Sequence, residues 1–250
     1  MLAQQRRDAI VEIVHELGGV SVAHLAARLD VSPSTIRRDL TELDRLGRLQ
    51  RVRGGGAENS GEQDQPFSRV ARRAAGEKDR VGQAAASLVR DRDVVLLDIG
   101  TTCAAIARHL RGRDVTVVTA SLAVVDELRE DKDVELIVLG GLLRRTYLSL
   151  VGSLTERALA DLRADLAFVG TSGIRPDGTV LDSTGTEVPI KQAIMRACEH
   201  TVLTAASDKF PGSGLLPVAQ VNDFSTLITT VAPATTPLPT VSHNTEVLFA

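Results

Sequence analysis

In the stretch VSPSTIRRDL (31–40) two adjacent arginines, Arg37 and Arg38, share a short segment with the hydroxyls of Ser32, Ser34 and Thr35, and Thr41 follows at once. Guanidinium forks match phosphate oxygens and guanine edges, and hydroxyls reach phosphates or bases. The chemistry on offer is recognition of a polyanion, not bond making. Arg51 and Arg53 add cations shortly afterwards. A second group lies downstream, in Asp98-Ile99-Gly100-Thr101-Thr102, Thr119-Ala120-Ser121, Gly140-Gly141 and Gly170-Thr171-Ser172-Gly173, with Lys209 beyond. Glycine allows close backbone approach, and Thr or Ser at a helix start leaves N–H groups and hydroxyls facing outward, which suits an anion. Taken singly, each of these loops is ordinary turn chemistry. Four of them together, with Lys209, favour a small phosphorylated ligand.

Other chemistries find little support. The five histidines (15, 24, 109, 200 and 243) form no HExxH or HxxxH spacing, and Cys103 and Cys198 stand far apart without a CxxC pattern. No metal, cofactor or disulfide framework is expected. Glu187 and Lys191 have the i, i+4 spacing of a surface ion pair. The opening MLAQQRRDAIVEIV has no signal-peptide core, and no run approaches the ~18 apolar residues of a membrane helix. A cytoplasmic protein with no membrane partner is the expectation. Net charge is −3, but residues 1–57 hold nine arginines against seven acids. A slightly basic head on an acidic body points to polyanion binding at one end.

The elements that must position these residues can be read from periodicity. Ile10, Ile13, Val14 and Leu17 form one helical stripe ended by Gly18 and Gly19. Ser21 caps a second helix that turns Val22, Leu25 and Leu29 inward. Ser32 caps a third, with Pro33 at its first position. Turning about 100° per residue from Ile36 puts Leu40 and Leu43 on its buried stripe. Ser34, Arg38 and Thr41 fall on the opposite side, with Arg37 at its flank. A basic hairpin around Val52 follows. This order is that of a winged helix-turn-helix, whose second motif helix enters the major groove.

GGGAENSGEQDQP (54–66) is polar and Gly-rich, which sets a flexible linker at 58–66 between a DNA-binding domain at 1–57 and an effector-binding and oligomerisation domain at 67–250. There the period changes. VVLLDIG, VTVVTAS, VELIVLGG, LAFVGTSG, HTVLTAA and TLITT alternate mostly with helical stretches, and EVLFA offers an edge strand. The fold class is α/β: a mostly parallel sheet covered on both faces behind the winged head. In such a sheet the carboxyl ends of the strands share one rim, where ligands bind. Aromatic residues are only 2% of the chain, so the core must be aliphatic.

VSPSTIRRDLTELDRLGRLQRVRGGGA (31–57) closely resembles the DeoR family of bacterial transcriptional regulators. The resemblance implies that Ser32, Thr35, Arg37 and Arg38 face DNA and that Asp39 orients a neighbouring arginine. Arg53 stands where the family commonly has histidine. GEKDRVGQAAASLVRDRDVVLLDIGTT, LGGLLRRTYLSLVG and DLAFVGTSGI resemble the effector domain of that family, which is similar in fold to sugar-phosphate isomerases and coenzyme A transferases. This implies a sugar phosphate or related metabolite held around Asp98, Gly100, Thr101, Thr102, Gly140, Gly141, Gly170, Lys191 and Lys209. Ile99, Ala120, Ala206 and Thr230 depart from the family pattern, each removing a polar group that would orient a sugar hydroxyl.

The expectation is a repressor that binds operator DNA as a homo-oligomer, dimer or tetramer, under control of a phosphorylated effector. The other reading is an isomerase-like enzyme with an accessory DNA-binding head, using Asp98 or Glu187 as base.

Overall fold

The computed structural model describes residues 3–17, 19–45, 50–52, 55–57, 66–231, 241–242 and 244–250. The chain forms two compact units, 1–63 and 64–250.

The N-terminal unit contains α1 (Ala3–Leu17), β1 (Gly19–Ser21), α2 (Val22–Leu29), α3 (Pro33–Arg45), β2 (Gln50–Val52) and β3 (Gly55–Ala57). Ile10, Val14, Leu25, Ile36, Leu40 and Leu43 meet in one small apolar core, so the stripes read from the sequence face one another. Both expected caps form. The His24 N–H donates to Ser21 Oγ (3.2 Å), and the Thr35 N–H donates to Ser32 Oγ (3.2 Å). Asp30 closes α2 in the left-handed region, at φ 52°. The wing has three strands, because β3 pairs antiparallel with both β2 and β1. β1 is absent from the sequence reading: its three residues, glycine first, carry too little pattern to show a strand, though Val20 enters the core.

The C-terminal unit opens with α4 (Phe67–Arg72) and α5 (Ala75–Leu88). Then come β4 (Val94–Leu97), α6 (Thr101–Leu110), β5 (Val115–Thr119), α7 (Leu122–Leu128) and β6 (Val134–Val138). A hairpin of β7 (Leu142–Arg144) and β8 (Ser149–Val151) leads into α8 (Ser153–Ala160) and β9 (Ala164–Gly170). β10 (Gly173–Ile174), β11 (Thr179–Asp182), α9 (Val188–Arg196), β12 (Cys198–Ala205), β13 (Leu216–Gln220), β14 (Thr226–Thr229) and β15 (Glu246–Phe249) complete it.

Seven strands form a wholly parallel sheet in the order β15-β14-β12-β9-β4-β5-β6. Alternate residues of each strand feed opposite layers. Val95, Leu97, Val117 and Phe168 pack with Val81 and Ala85 of α5, Ile106 of α6 and Val124 of α7. Leu96, Val118, Val169 and Leu203 pack on the other face with Leu159 of α8 and Ile190 and Ile194 of α9. The second face also carries a small antiparallel sheet, β10-β11-β13. Neither it nor the β7–β8 hairpin was expected from the sequence. Both are built from short strands of two to five residues, too few to show a local period, and β13 joins its sheet only after β12 has entered the other.

Candidate functional site

The order of the parallel sheet reverses direction beside β4: β5 and β6 continue on one side, β9, β12 and β14 on the other. In open α/β sheets the crevice at such a reversal is where ligands bind. Asp98 follows β4 and Gly170 ends β9, so topology alone brings these two predicted residues together. The Gly170 N–H donates to Asp98 Oδ2 (3.0 Å). Lys191 of α9 reaches the same point: its ammonium donates to Asp98 Oδ2 and to the Gly170 carbonyl (3.0 Å). Asp182, at the end of β11, lies 3.4 Å from Lys191 Nζ on its other side. Asp98 is 1% exposed and Lys191 3%, so one buried cation sits between two buried carboxylates. Burial pushes the Asp98 carboxyl above its ordinary range, against the pull of Lys191. Burial also opposes the charge on Lys191, but Asp98 and Asp182 outweigh it and raise the ammonium's pKa. Asp98 Oδ1 is buried with no partner among the described residues. A native orphan acceptor of this kind suits a donor from a ligand.

The surface ion pair read between Glu187 and Lys191 does not form. Glu187 is buried and accepts instead from Arg144 of β7 and from Ser149 Oγ (3.2 Å). The one-turn spacing was right, but both side chains turn into the unit, where each finds a partner distant in sequence.

Beside this cluster α6 begins. Gly100 caps it at φ 111°, a conformation L side chains rarely adopt. Thr101 and Thr102 form its first turn, where N–H groups lack helical partners. Tyr147, at the tip of the β7–β8 hairpin, faces this glycine: a Cβ on Gly100 would lie 3.7 Å from the phenol oxygen. Phe67 meets the Tyr147 ring edge-on at 5.9 Å, and Arg144 lies 5.9 Å over it. Burial raises the Tyr147 hydroxyl to about 12, so it stays protonated at neutral pH. Tyr147, the one tyrosine of the chain, and Asp182 both escaped the sequence reading, since neither follows a strand of the parallel sheet.

Other predicted residues have local roles. Thr119 Oγ1 donates to the Leu97 carbonyl (2.8 Å) and accepts from the Ser121 N–H (3.0 Å). Ser121 caps α7 through the Val124 N–H. Thr171 Oγ1 is held between its own turn and the Leu181 carbonyl. The Gly140 carbonyl accepts from Thr155 Oγ1 (2.7 Å), and a Cβ on Gly141 would fall 2.2 Å from that oxygen. Lys209 Nζ pairs with Asp208 at 3.2 Å. Of the four departures, Ile99 and Ala120 lie in the apolar core and Ala206 is buried. Thr230 donates its hydroxyl to Glu77, which also accepts from the Ser207 N–H.

In the N-terminal unit Arg37 and Arg38 are both exposed, and no acid pairs with either among the described residues. Asp39 could have neutralised them. It is turned inward instead and accepts from Arg6 Nε (2.6 Å) and Arg7 Nε (3.2 Å) of α1. The neighbour that Asp39 orients is therefore on another helix. Ser32 Oγ lies 2.8 Å from Ser34 Oγ and 2.9 Å from Thr35 Oγ1, and Thr41 Oγ1 donates to the Arg37 carbonyl (2.8 Å). Arg51 is in β2, but its side chain and all of Arg53 lie outside the described residues.

The winged helix-turn-helix and the switch-point cluster together define a DNA-binding transcriptional regulator. Comparison with known proteins agrees. Residues 6–61 match the DeoR-like helix-turn-helix domain and residues 73–230 the DeoR C terminal sensor domain. The glycerol-3-phosphate regulon repressor of Haemophilus influenzae is 32% identical, over 90% of this chain and 88% of its own. The HTH-type transcriptional repressor GlcR of Bacillus subtilis is 30% identical, over 92% and 89%. The chain belongs to the DeoR family. Among solved structures, ribose 5-phosphate isomerase A of Methanocaldococcus jannaschii overlaps 53% of this chain and 52% of its own at 17% identity, with a TM-score of 0.40, too distant to carry an argument. No helix among the described residues is long and apolar enough to cross a membrane.

Proposed function

We propose that this regulator represses transcription by binding operator DNA through α3 and the wing, and that a phosphorylated small molecule in the C-terminal unit controls the binding. The observation that carries the reading is the pair Arg37 and Arg38, exposed opposite the Ile36–Leu40–Leu43 stripe while the nearest acid is occupied by α1. Ser32, Ser34, Thr35 and Thr41 flank the pair and serve phosphates or bases, and Arg51 and Arg53 of the wing add phosphate contacts. One small reading head contacts too little DNA for high specificity, so at least two copies act at neighbouring half-sites. β6 supports self-association. It is an edge strand with Ile137 and Val138 exposed, and Leu142, just beyond it, is 73% exposed. Such an edge invites pairing.

The effector class is supported by the relatives named as glycerol-3-phosphate regulon repressors and by the glycine and hydroxyl groups at the start of α6. Ile99, Ala120, Ala206 and Thr230 favour a sugar preference altered from that of the family. We assign no catalysis. Glu187 is tied to Arg144 and Ser149 and Asp98 Oδ2 to Lys191 and Gly170, and the Asp98 oxygen without a partner among the described residues, Oδ1, belongs to a carboxylate already committed to the Lys191 ammonium. A coupled spectrophotometric assay across pentose and hexose phosphates is expected to show no isomerase turnover.

The test of the main reading is a gel shift on the protein's own promoter. Arg38→Ala is expected to weaken operator binding by about 1–3 kcal/mol while calorimetry with a sugar-phosphate panel is unchanged. Unaltered gel shifts would remove α3 as the reading helix.

A further inference from the structure

Tyr147 is held tightly for a residue at the tip of a hairpin. The carbonyl of the residue before it, Thr146, accepts from the Phe67 N–H of α4 (2.9 Å), and the carbonyl of the residue after it, Leu148, accepts from the Leu122 N–H of α7 (2.8 Å). Its ring is met edge-on by Phe67 and overlaid by Arg144. Leu148 adopts φ 55°, a left-handed conformation that is costly for a side chain of this size and that gathers at ligand clamps. These ties fix the phenol, yet its hydroxyl has no hydrogen-bond partner among the described residues. Tyr147 is only partly buried, so a small molecule can reach it.

The hydroxyl faces Gly100, two residues from Asp98, whose Oδ1 is buried and equally without a partner among the described residues. After burial itself, the charges of Lys191, Asp182 and Asp98 act on the phenol, which places both orphan atoms in one cluster. A carboxylate oxygen only accepts, whereas a phenol donates or accepts. An anion brought to Oδ1 is repelled by the Asp98 charge. A hydroxyl donates to Oδ1 and accepts from the Tyr147 O–H at once. The phenol, pushed up to about 12, keeps the proton this needs at neutral pH.

We propose that Tyr147 and Asp98 Oδ1 together read a single hydroxyl of the effector, and that Tyr147 thereby sets which polyhydroxy phosphate the C-terminal unit accepts. The inference rests on the reading of this unit as a sensor of phosphorylated metabolites and adds a specificity-determining residue to it. A ligand without that hydroxyl leaves a buried acceptor unsatisfied and a fixed donor idle, a loss that apolar packing does not make good. The rigid seat of the phenol makes the reading selective, since a donor already held in place loses little freedom on binding and cannot follow a ligand of another shape.

The test uses the full chain and calorimetry with glycerol 3-phosphate and glucose 6-phosphate, each beside forms stripped of one hydroxyl at a time. The natural chain is expected to bind one stripped form about tenfold more weakly than its parent. Tyr147→Phe keeps the ring that meets Phe67 and Arg144. In that variant the parent should weaken about tenfold while the same stripped form stays within about twofold, so the preference closes. A role in folding alone would weaken both alike. A second arm needs no variant. The chain has one tyrosine and no tryptophan, so its tyrosine absorption reports Tyr147 alone, and the band should shift when the parent binds and the phenol gains a partner. A preference that Tyr147→Phe leaves intact, a natural chain that does not distinguish parent from stripped forms, or a tyrosine band silent on binding would overturn the assignment and leave the sensor reading standing. Failure of the natural chain to bind any phosphorylated sugar would overturn both.

Discussion

Asp39 and Asp98 are both buried acids, and their partners give them different uses. Asp39 has both oxygens occupied by guanidinium groups of α1 and so fastens α1 to α3. Asp39→Asn is expected to lower the stability of the N-terminal unit by about 2–3 kcal/mol, the worth of hydrogen bonds to a charged group. A urea titration should show it, with ligand binding by the other unit untouched. Asp98 keeps one oxygen without a partner and is available to a ligand. Lys78 makes a prediction of opposite sign to that of most lysines. Its folded pKa, about 8, lies below the ordinary 10.5, so between these values the unfolded chain holds more protons than the folded one. Stability of the ligand-free unit therefore rises with pH across that window, and the cost of the buried charge is fully present below it. Lys78→Met removes this dependence. The variant's advantage in a thermal melt should be greatest near pH 7 and shrink toward pH 10. An advantage constant across that range would show that charge burial is not its cause.

Among the elements, glycines that admit close neighbours are more informative than the mobility usually ascribed to them. Gly141 reads in the sequence as part of a ligand loop, but a methyl there would strike Thr155 Oγ1 and come within 2.9 Å of the Val151 carbonyl. Gly141→Ala should cost about 1–3 kcal/mol as overpacking through the seating of β8 and α8, seen as a lower melting temperature, with phosphate binding to the folded fraction retained. The same example shows how far the sequence could be read. Elements with a strong period were legible: the three helices of the head with their Ser21 and Ser32 caps, and the seven parallel strands with the helices between them. The rim glycines were visible as glycines, but whether each faces a ligand or a neighbouring strand depends on packing that no local pattern records. Asp98 and Gly170 could be named together because a parallel sheet sends its strand ends to one rim, whereas Lys191, within α9, joined them only through the family resemblance. Asp182 and Tyr147 could not, since they arrive on the unforeseen antiparallel sheet and on the β7–β8 hairpin. Nothing in the sequence sets Lys78 apart, because its burial comes from the packing of α4, whose Val70 carbonyl it meets.

For the whole molecule, the uneven charge matters more than its sum. Residues 1–57 carry more arginines than acids although the chain is −3 overall, so attraction to DNA is expected from that end, and bulk nucleic acid should gain little from the remainder. Operator affinity should fall steeply with salt, and Arg37→Ala should reduce the slope of log affinity against log salt by about one if that guanidinium displaces a phosphate counter-ion. An unchanged slope would move Arg37 off the backbone and onto a base or off the DNA altogether. The outer margin of β6, unpaired among the described residues, adds a consequence for dosage. If copies must meet there before two heads can seat on adjoining half-sites, promoter occupancy grows with the square of chain number at low abundance. A gene under such control would switch over a narrow window of regulator synthesis, so halving the supply would release it far more than by half.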